Sequence, residues 1–305
     1  MKIIRDLHQA HVERETVLTV GGFDGLHLGH QELLTGLMRR AKETDRLSGV
    51  VTFDPLPRTV LAPDSSFICL TTIEDKTELL EAWGLDLLVI VPFTGELART
   101  SARDFVQPLC DRLRMSELWI GWNFALGRGR EADASTLKKL GKAMGFQVHI
   151  IGPVSDGGTA ISSTQIRNLL SVGRAREAAE MLGRYFQFSG VVVPGVGRER
   201  HVGYPTANLH VEDICALPGS GVYAVYVVVQ DKSYSAVANI GVRPTFGAGQ
   251  PVVEVHLLDF HGELGGERIR IQFVERLRDE QRFADVDELR AHIEKDIAQA
   301  REILQ

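Results

Sequence analysis

From residue 16 to about residue 151, short apolar, β-branched runs alternate with stretches whose apolar residues recur every three or four positions. TVLTV, GVVTF, LDLLVIV, ELWIG and FQVHII read as strands, and the stretches after His27, around 75–83 and around 104–113 read as helices. Strand and helix in alternation predict a parallel sheet with helices on its faces. In the helix after His27, Leu33, Leu34, Leu37, Met38 and Ala41 form the stripe that docks on that sheet, leaving Arg39, Arg40 and Lys42 mostly outside. Pro108 predicts a late start or a kink in its helix, because proline removes an amide donor and crowds the preceding turn.

The pattern changes after a last helical stretch at 162–183, which Gly173 splits. Beyond it FSGVVV, GVYAVYVVV, SYSAVANI, VVEVHLLDF and RIRIQFV follow one another with Gly, Pro and polar punctuation and no helical period between them, which predicts antiparallel β structure. From Asp285 onward Leu289, Ile293, Ile297, Ala300 and Leu304 set a helical period, with Asp287 as the expected cap. The expectation is therefore an α/β N-terminal domain over 1–185 with a parallel, Rossmann-like sheet. A C-terminal antiparallel β-barrel over 186–305, covered by a terminal helix, completes it. A length of 305 residues and 44% hydrophobic content suffice for two cores.

The net charge of −6 argues against a broad basic footprint for nucleic acid or anionic membrane, so an anionic substrate must be held by local groups. The most apolar run, VYAVYVVV at 222–229, falls well short of the roughly 20 residues a membrane helix needs. A soluble cytoplasmic protein is expected, and no interface signature fixes its oligomeric state. Cys69, Cys110 and Cys215 are widely spaced without a CxxC pair, and read as plain, partly buried thiols.

Two segments carry candidate chemistry. The first, GGFDGLHLGH at 21–30, links a strand to a helix start, where unpaired amides and about half a positive charge favour an anion. His27 and His30, three apart, share a face there and can both donate to phosphate oxygens. Alone, the pair also fits a capped helix or, with a third ligand, a zinc site. ISSTQIR at 161–167 sets Ser162, Ser163 and Thr164 at another helix start with Arg167 one turn in, a second phosphate-binding pattern. Together these residues resemble the nucleotidyltransferase superfamily with its HxGH signature. Class I aminoacyl-tRNA synthetases share that signature, but a KMSKS-like loop and an anticodon-binding region are not visible here.

The second, GRERHVGYPTANL at 197–209, puts Thr206 and Asn208 two residues apart on one side of an extended segment, where both oxygens suit Mg²⁺ and nucleotide phosphates. A β-turn followed by an ordinary strand reads equally well. Strand alternation sets Glu254 and His256 opposite Val253 and Val255, so that pair is either solvated or lines a cleft. With ANIGVRPTFG at 238–247, VEVHLLDF at 253–260 and LRDEQRF at 277–283, this half looks like riboflavin kinase. The whole chain then resembles the bacterial family that fuses an FMN adenylyltransferase (FAD synthetase) module to a riboflavin kinase module.

That resemblance implies two reactions: ATP phosphorylates riboflavin to FMN, and a second ATP adenylylates FMN to FAD and pyrophosphate, with Mg²⁺ at both sites. It implies Glu254 as the kinase base, Thr206 and Asn208 as metal and phosphate ligands, and Gly203 and Arg278 at the nucleotide or flavin. In the other module it assigns His27, His30, Ser163, Thr164 and Arg167 to ATP phosphates, Phe23 and Gly29 to the nucleotide cleft, and Phe53, Asp54 and Asn123 to the flavin. The chain departs from the family pattern at Gly22, where asparagine is frequent, at Leu56, where histidine is common, at Trp122, where an acid is common, and in GELGG at 262–266, which lacks a tyrosine. Two alternatives follow: a chain active only as the kinase, or a flavin-binding regulator without turnover.

Overall fold

The computed structural model describes residues 1–7, 9–63, 67–194, 204–210, 216–242, 251–281 and 283–305. By its contacts the chain divides into two units, Met1–Phe67 with Ile73–Ser162, and Ile68–Thr72 with Ser163–Gln305. Among the described residues no helix is long and apolar enough to cross a membrane.

The first unit runs β1 (Lys2–Ile4), β2 (Thr16–Val20), α1 (Leu28–Glu43), β3 (Leu47–Phe53), α2 (Pro57–Leu61), α3 (Ile73–Ala82), β4 (Leu87–Val91), α4 (Ala102–Leu113), β5 (Met115–Gly121), α5 (Ala134–Met144) and β6 (Gln147–Ile151), then a short hairpin of β7 (Ser155–Asp156) and β8 (Thr159–Ala160). Six strands form one sheet in the order β1-β4-β3-β2-β5-β6, each pair parallel. The chain steps outward from β2 through β3 to β4 and returns to β5 on the other side of β2. A crevice therefore opens at the carboxyl ends of β2 and β5, where doubly wound sheets take their ligands.

Both faces of the sheet are covered. Leu18, Val51 and Leu118 face a core shared with Phe105 and Leu109 of α4 and Leu137 of α5. Their neighbours Val17, Val50 and Trp119 face the opposite core, with Leu33, Leu34 and Leu37 of α1 and Leu80 of α3. Burial on both sides explains why these strands read as continuous apolar runs. Helix α4 starts at Ala102 and runs through Pro108 to Leu113, so neither a late start nor a break is found. The lost bond is outweighed by its buried stripe of Phe105, Val106, Leu109 and Leu113, and Ser101 caps the helix by accepting from the Asp104 amide.

Arg40 does not stay outside. With Arg46 and His149 it closes on Glu117 of β5, whose side chain is 1% exposed, at 2.9, 2.6 and 3.1 Å. Burial alone would raise the Glu117 pKa, but hydrogen bonds from Arg40 and Trp119 and the nearby positive charge hold it below the ordinary carboxylate range.

The second unit adds α6 (Ser163–Ser171), α7 (Ala175–Leu182), β9 (Phe186–Val193), β10 (Ala207–His210), β11 (Gly221–Val229), β12 (Lys232–Val242), β13 (Pro251–Leu257), β14 (Arg268–Arg278) and α8 (Val286–Ile303). Its strands close an antiparallel barrel in the order β10-β13-β12-β11-β14-β9. Alternate residues such as Val225, Val227, Ala238, Val253 and Val255 fill the interior and are fully buried. The segment expected to open the barrel domain at 186 begins β9, while α6 and α7 join the barrel unit by contact: the buried Ala175, Ala178 and Leu182 of α7 lie beside β9 and β14.

Helix α8 packs on the outer barrel face, where Ala300 and Leu304 meet Ala224 and Val274. Its cap is Asp285, not Asp287, which lies in the first turn. Asp285 has the extended backbone a cap requires and accepts from the Glu288 amide, while the Glu288 carboxylate accepts from the Ala284 amide at 2.8 Å.

Candidate functional site

Because β2, β3 and β5 are parallel, the loops after Val20, Phe53 and Gly121 leave the first unit's sheet at one edge. The loop after β2 turns sharply through left-handed positions at Phe23 (φ 47), Gly25 (φ 81) and Leu26 (φ 45). It is tightly packed: a Cβ on Gly21 would lie 3.1 Å from the Phe23 ring, and one on Gly29 3.2 Å from the His27 imidazole. His27, 7% exposed, immediately precedes α1, and its carbonyl accepts from the amides of His30 and Gln31 at 2.8 and 3.0 Å.

The two imidazoles stack, 3.7 Å between centroids and 19° between planes, and Phe23 meets His30 edge-on at 5.1 Å. The expected shared face therefore exists, at a helix N-terminus that offers free amides to an anion. Among the described residues no group of three or more His, Cys, Asp or Glu is arranged to hold a metal ion, so a zinc reading of the pair finds no third ligand there.

Phe53 ends β3 and lines a cavity of about 200 Å³ with Phe93, Phe105, Leu126 and Arg130. Asp54 and Asn123 are exposed at the same sheet edge, and the Asn123 carbonyl accepts from Arg130 Nη2 at 2.9 Å. Trp122 stands 53% exposed. Two of the departures from the family pattern touch: a Cβ on Gly22 would lie 3.2 Å from Leu56 Cδ2. A larger residue at one position constrains the other.

Ser163 and Thr164 form the first turn of α6, and Arg167 Nε donates to the Ile68 carbonyl at 2.8 Å, all within the second unit.

The second site forms on the outer face of the barrel under α8. Thr206, Glu254 and Arg278, from separate strands or their approaches, line one cavity of about 240 Å³ with Asn239, His256 and Phe283. Glu254 pairs in register with Asn208 of β10 on one side and Asn239 of β12 on the other, so the three side chains share a face. Val253 and Val255 point into the barrel, fully buried, which leaves Glu254 and His256 on the cavity side rather than in open solvent.

The Thr206 hydroxyl is buried and has no hydrogen-bond partner among the described residues. His256 Nδ1 lies 2.8 Å from the Pro205 carbonyl, tying the approach to Thr206 onto β13. Tyr204 packs edge-on to His256 at 5.5 Å and donates to Glu294 at 3.2 Å. Arg278 forks onto Asp296 of α8 through Nε and Nη2 at 2.8 to 3.1 Å, and its guanidinium lies 5.5 Å from the Phe283 ring centre. The pair is nearly out of solvent, at 19% and 8% exposure. Gly203 and the second half of the ANIGVRPTFG string, residues 243–247, lie outside the described residues.

Sequence reasoning missed Asn239, whose part in the row emerges only from strand register. It also missed Asp296, 18 residues from its arginine on a different element. A period-matched helix does carry Asp296, but nothing in the string marks it as the partner of Arg278.

A family model described as FAD synthetase matches residues 9–165, and one described as riboflavin kinase matches 182–304. The chain is similar to the bifunctional riboflavin kinase/FMN adenylyltransferase of Escherichia coli K12, 38% identical over 99% of this chain and 97% of the relative. The protein of that description from Pseudomonas fluorescens is 38% identical over the same shares. The one from Listeria monocytogenes is 34% identical over 92% and 90%. Among solved structures, one described as a macrolide-efflux protein from Streptococcus pneumoniae superposes with a TM-score of 0.90 at 30% identity, covering 98% of both chains.

Proposed function

The chain belongs to the family of bifunctional riboflavin kinase/FMN adenylyltransferases, and we propose that residues 1–185 and 186–305 divide the two reactions, with the residues assigned below. The protein phosphorylates riboflavin with ATP to FMN and adenylylates FMN with ATP to FAD and pyrophosphate.

The kinase step belongs to the cavity under α8. The ribityl 5′-hydroxyl is a poor nucleophile at neutral pH, and Glu254 takes its proton as the oxygen attacks the γ-phosphorus of ATP. The observation that carries this is the convergence of Thr206, Glu254 and Arg278 on one cavity. Mg²⁺ bound there would neutralise phosphate charge; the buried Thr206 hydroxyl, without a partner among the described residues, and the amide oxygen of Asn208 are the hard oxygen donors that suit it. Gly203 belongs to this nucleotide segment by resemblance. Arg278, held by Asp296, turns its charge and the neighbouring Phe283 face toward nucleotide or flavin.

Adenylyl transfer needs no base, because the FMN phosphate is already an anionic nucleophile. His27, His30 and the first-turn amides of α1 stabilise charge developing on the α-phosphate, while Phe23 and Gly29 border the nucleotide. Ser163, Thr164 and Arg167 bind ATP phosphates. Phe53, Asp54 and Asn123 hold the flavin, a role supported by the aromatic wall around Phe53. Both reactions draw on ATP and Mg²⁺, and we assign the protein to the cytoplasm with that nucleotide pool.

Purified protein with ATP and Mg²⁺ is given riboflavin in one tube and FMN in another and followed by chromatography. FMN and then FAD from riboflavin, and FAD from FMN, are expected. FMN alone would confine activity to the kinase, and no product would leave a flavin-binding regulator.

A further inference from the structure

Lys76 of α3 is 2% exposed, a depth at which an ammonium has lost nearly all its water. Its Nζ donates to the Gly22 carbonyl at 2.7 Å and reaches the Thr52 hydroxyl at 3.4 Å. The Thr52 hydroxyl donates to the same carbonyl at 3.4 Å, from a side chain that is fully buried at the end of β3. Two side chains from different elements are thus turned on one carbonyl oxygen, in the middle of the loop that leads to His27 and His30.

The peptide between Gly22 and Phe23 is trans, since the one cis bond among the described residues is Asp54–Pro55. In a trans peptide the carbonyl of one residue and the amide of the next point in opposite directions. A carbonyl drawn inward to Lys76 therefore turns the Phe23 N–H the other way, and that amide donates no hydrogen bond among the described residues. Phe23 is also the residue whose ring abuts His30. Gly22 has no Cβ to resist rotation, so this peptide would flip readily without a latch. A flip would present a carbonyl dipole where an anion is to bind.

The geometry points to Lys76 as a positioning residue for adenylyl transfer: its ammonium, seconded by Thr52, locks the Gly22–Phe23 peptide so that the Phe23 amide faces the phosphate cleft. Lys76 touches neither substrate nor reacting atoms in this role; it acts through the peptide. The proposal rests on the adenylyltransferase reading above and adds to it the group that sets the loop's polarity.

The test compares full-length wild type with Lys76→Met, which keeps the side-chain length and removes the donor. Loss of one preorganised transition-state donor is worth on the order of 10² in rate. FAD formation from FMN is expected to lose about that in kcat, with KM for FMN and ATP within about threefold and with riboflavin phosphorylation by the same preparation unchanged. A kcat within threefold of wild type, or a loss carried wholly by KM, overturns the proposal.

Should Lys76→Met fail to fold, Thr52→Val removes only the second donor at constant shape. A fall of about threefold in kcat at unchanged KM then supports the latch, and an unchanged kcat overturns it. A wild type that makes no FAD would sink the underlying reading instead. The latch would then be judged by calorimetric titration of pyrophosphate, where equal affinity of wild type and Lys76→Met overturns it.

Discussion

Glu254→Gln replaces the proton-accepting carboxylate with an amide of the same shape. Strand β13 is paired along both edges, with β10 and with β12, and Val253 and Val255 anchor it from inside the barrel. Glutamine has the same shape, and its in-register neighbours Asn208 and Asn239 are neutral. Binding of riboflavin and ATP should hold within about threefold. What is lost is the base, which typically contributes 10² to 10⁴ in rate. Apolar walls from Phe283, Leu289 and Ile293 limit access of a substitute water, which puts the expected loss of kcat near 10³, or about 4 kcal/mol of barrier. Chromatography of FMN from riboflavin gives kcat, fluorescence titration gives riboflavin affinity, and FAD from supplied FMN is an internal control. A kcat loss below tenfold, a defect confined to KM, or equal loss of both activities would refute the reasoning.

His30→Ala should slow FAD formation by on the order of 10² and leave FMN formation alone; an unchanged pyrophosphate release rate at saturating FMN and ATP removes His30 from the mechanism. Asp296→Ala leaves the Arg278 guanidinium, 19% exposed, without its counter-charge. A loss of about 2 kcal/mol in the second unit's stability is expected by urea denaturation, with a raised KM for riboflavin phosphorylation; unaltered values of both would show the fork to be idle. Glu117→Gln should destabilise the first unit by about 2 kcal/mol near neutral pH. Because the folded-state pKa of Glu117 is depressed, its contribution is present above the unfolded carboxylate pKa and is lost as pH falls through the folded value. The gap between wild type and variant should therefore close below about pH 4, and a gap that widens in acid contradicts the assignment.

The alternation of the first half was readable because strands buried on both faces cannot hide their apolar runs, and β2 was found at its true limits, Thr16–Val20. Helix α5 went unseen although its signals stand in the string: Asp133 caps it and Gly145 ends it in the left-handed region, while Gly141 breaks the helical composition because a side chain there would meet the Phe146 carbonyl at 2.5 Å. The three residues of β1 and the short β10 are too brief to show a period. At the kinase site, strand alternation found Glu254, but Asn239 required knowing which strands are neighbours. Lys76 required knowing that α3 passes behind the loop, a fact of packing that no local pattern encodes.

Glu254 stands in mid-strand in the wall of a closed barrel, whereas His27 and His30 stand where a loop becomes a helix. Amides along a wall paired on both sides exchange with solvent only when the whole unit opens, while loop and helix-end amides exchange through local fraying. The two chemistries of this chain therefore have different kinds of thermal limit: FMN synthesis should persist until the barrel melts in one cooperative step, and FAD synthesis should fade gradually, below the melting of its own sheet.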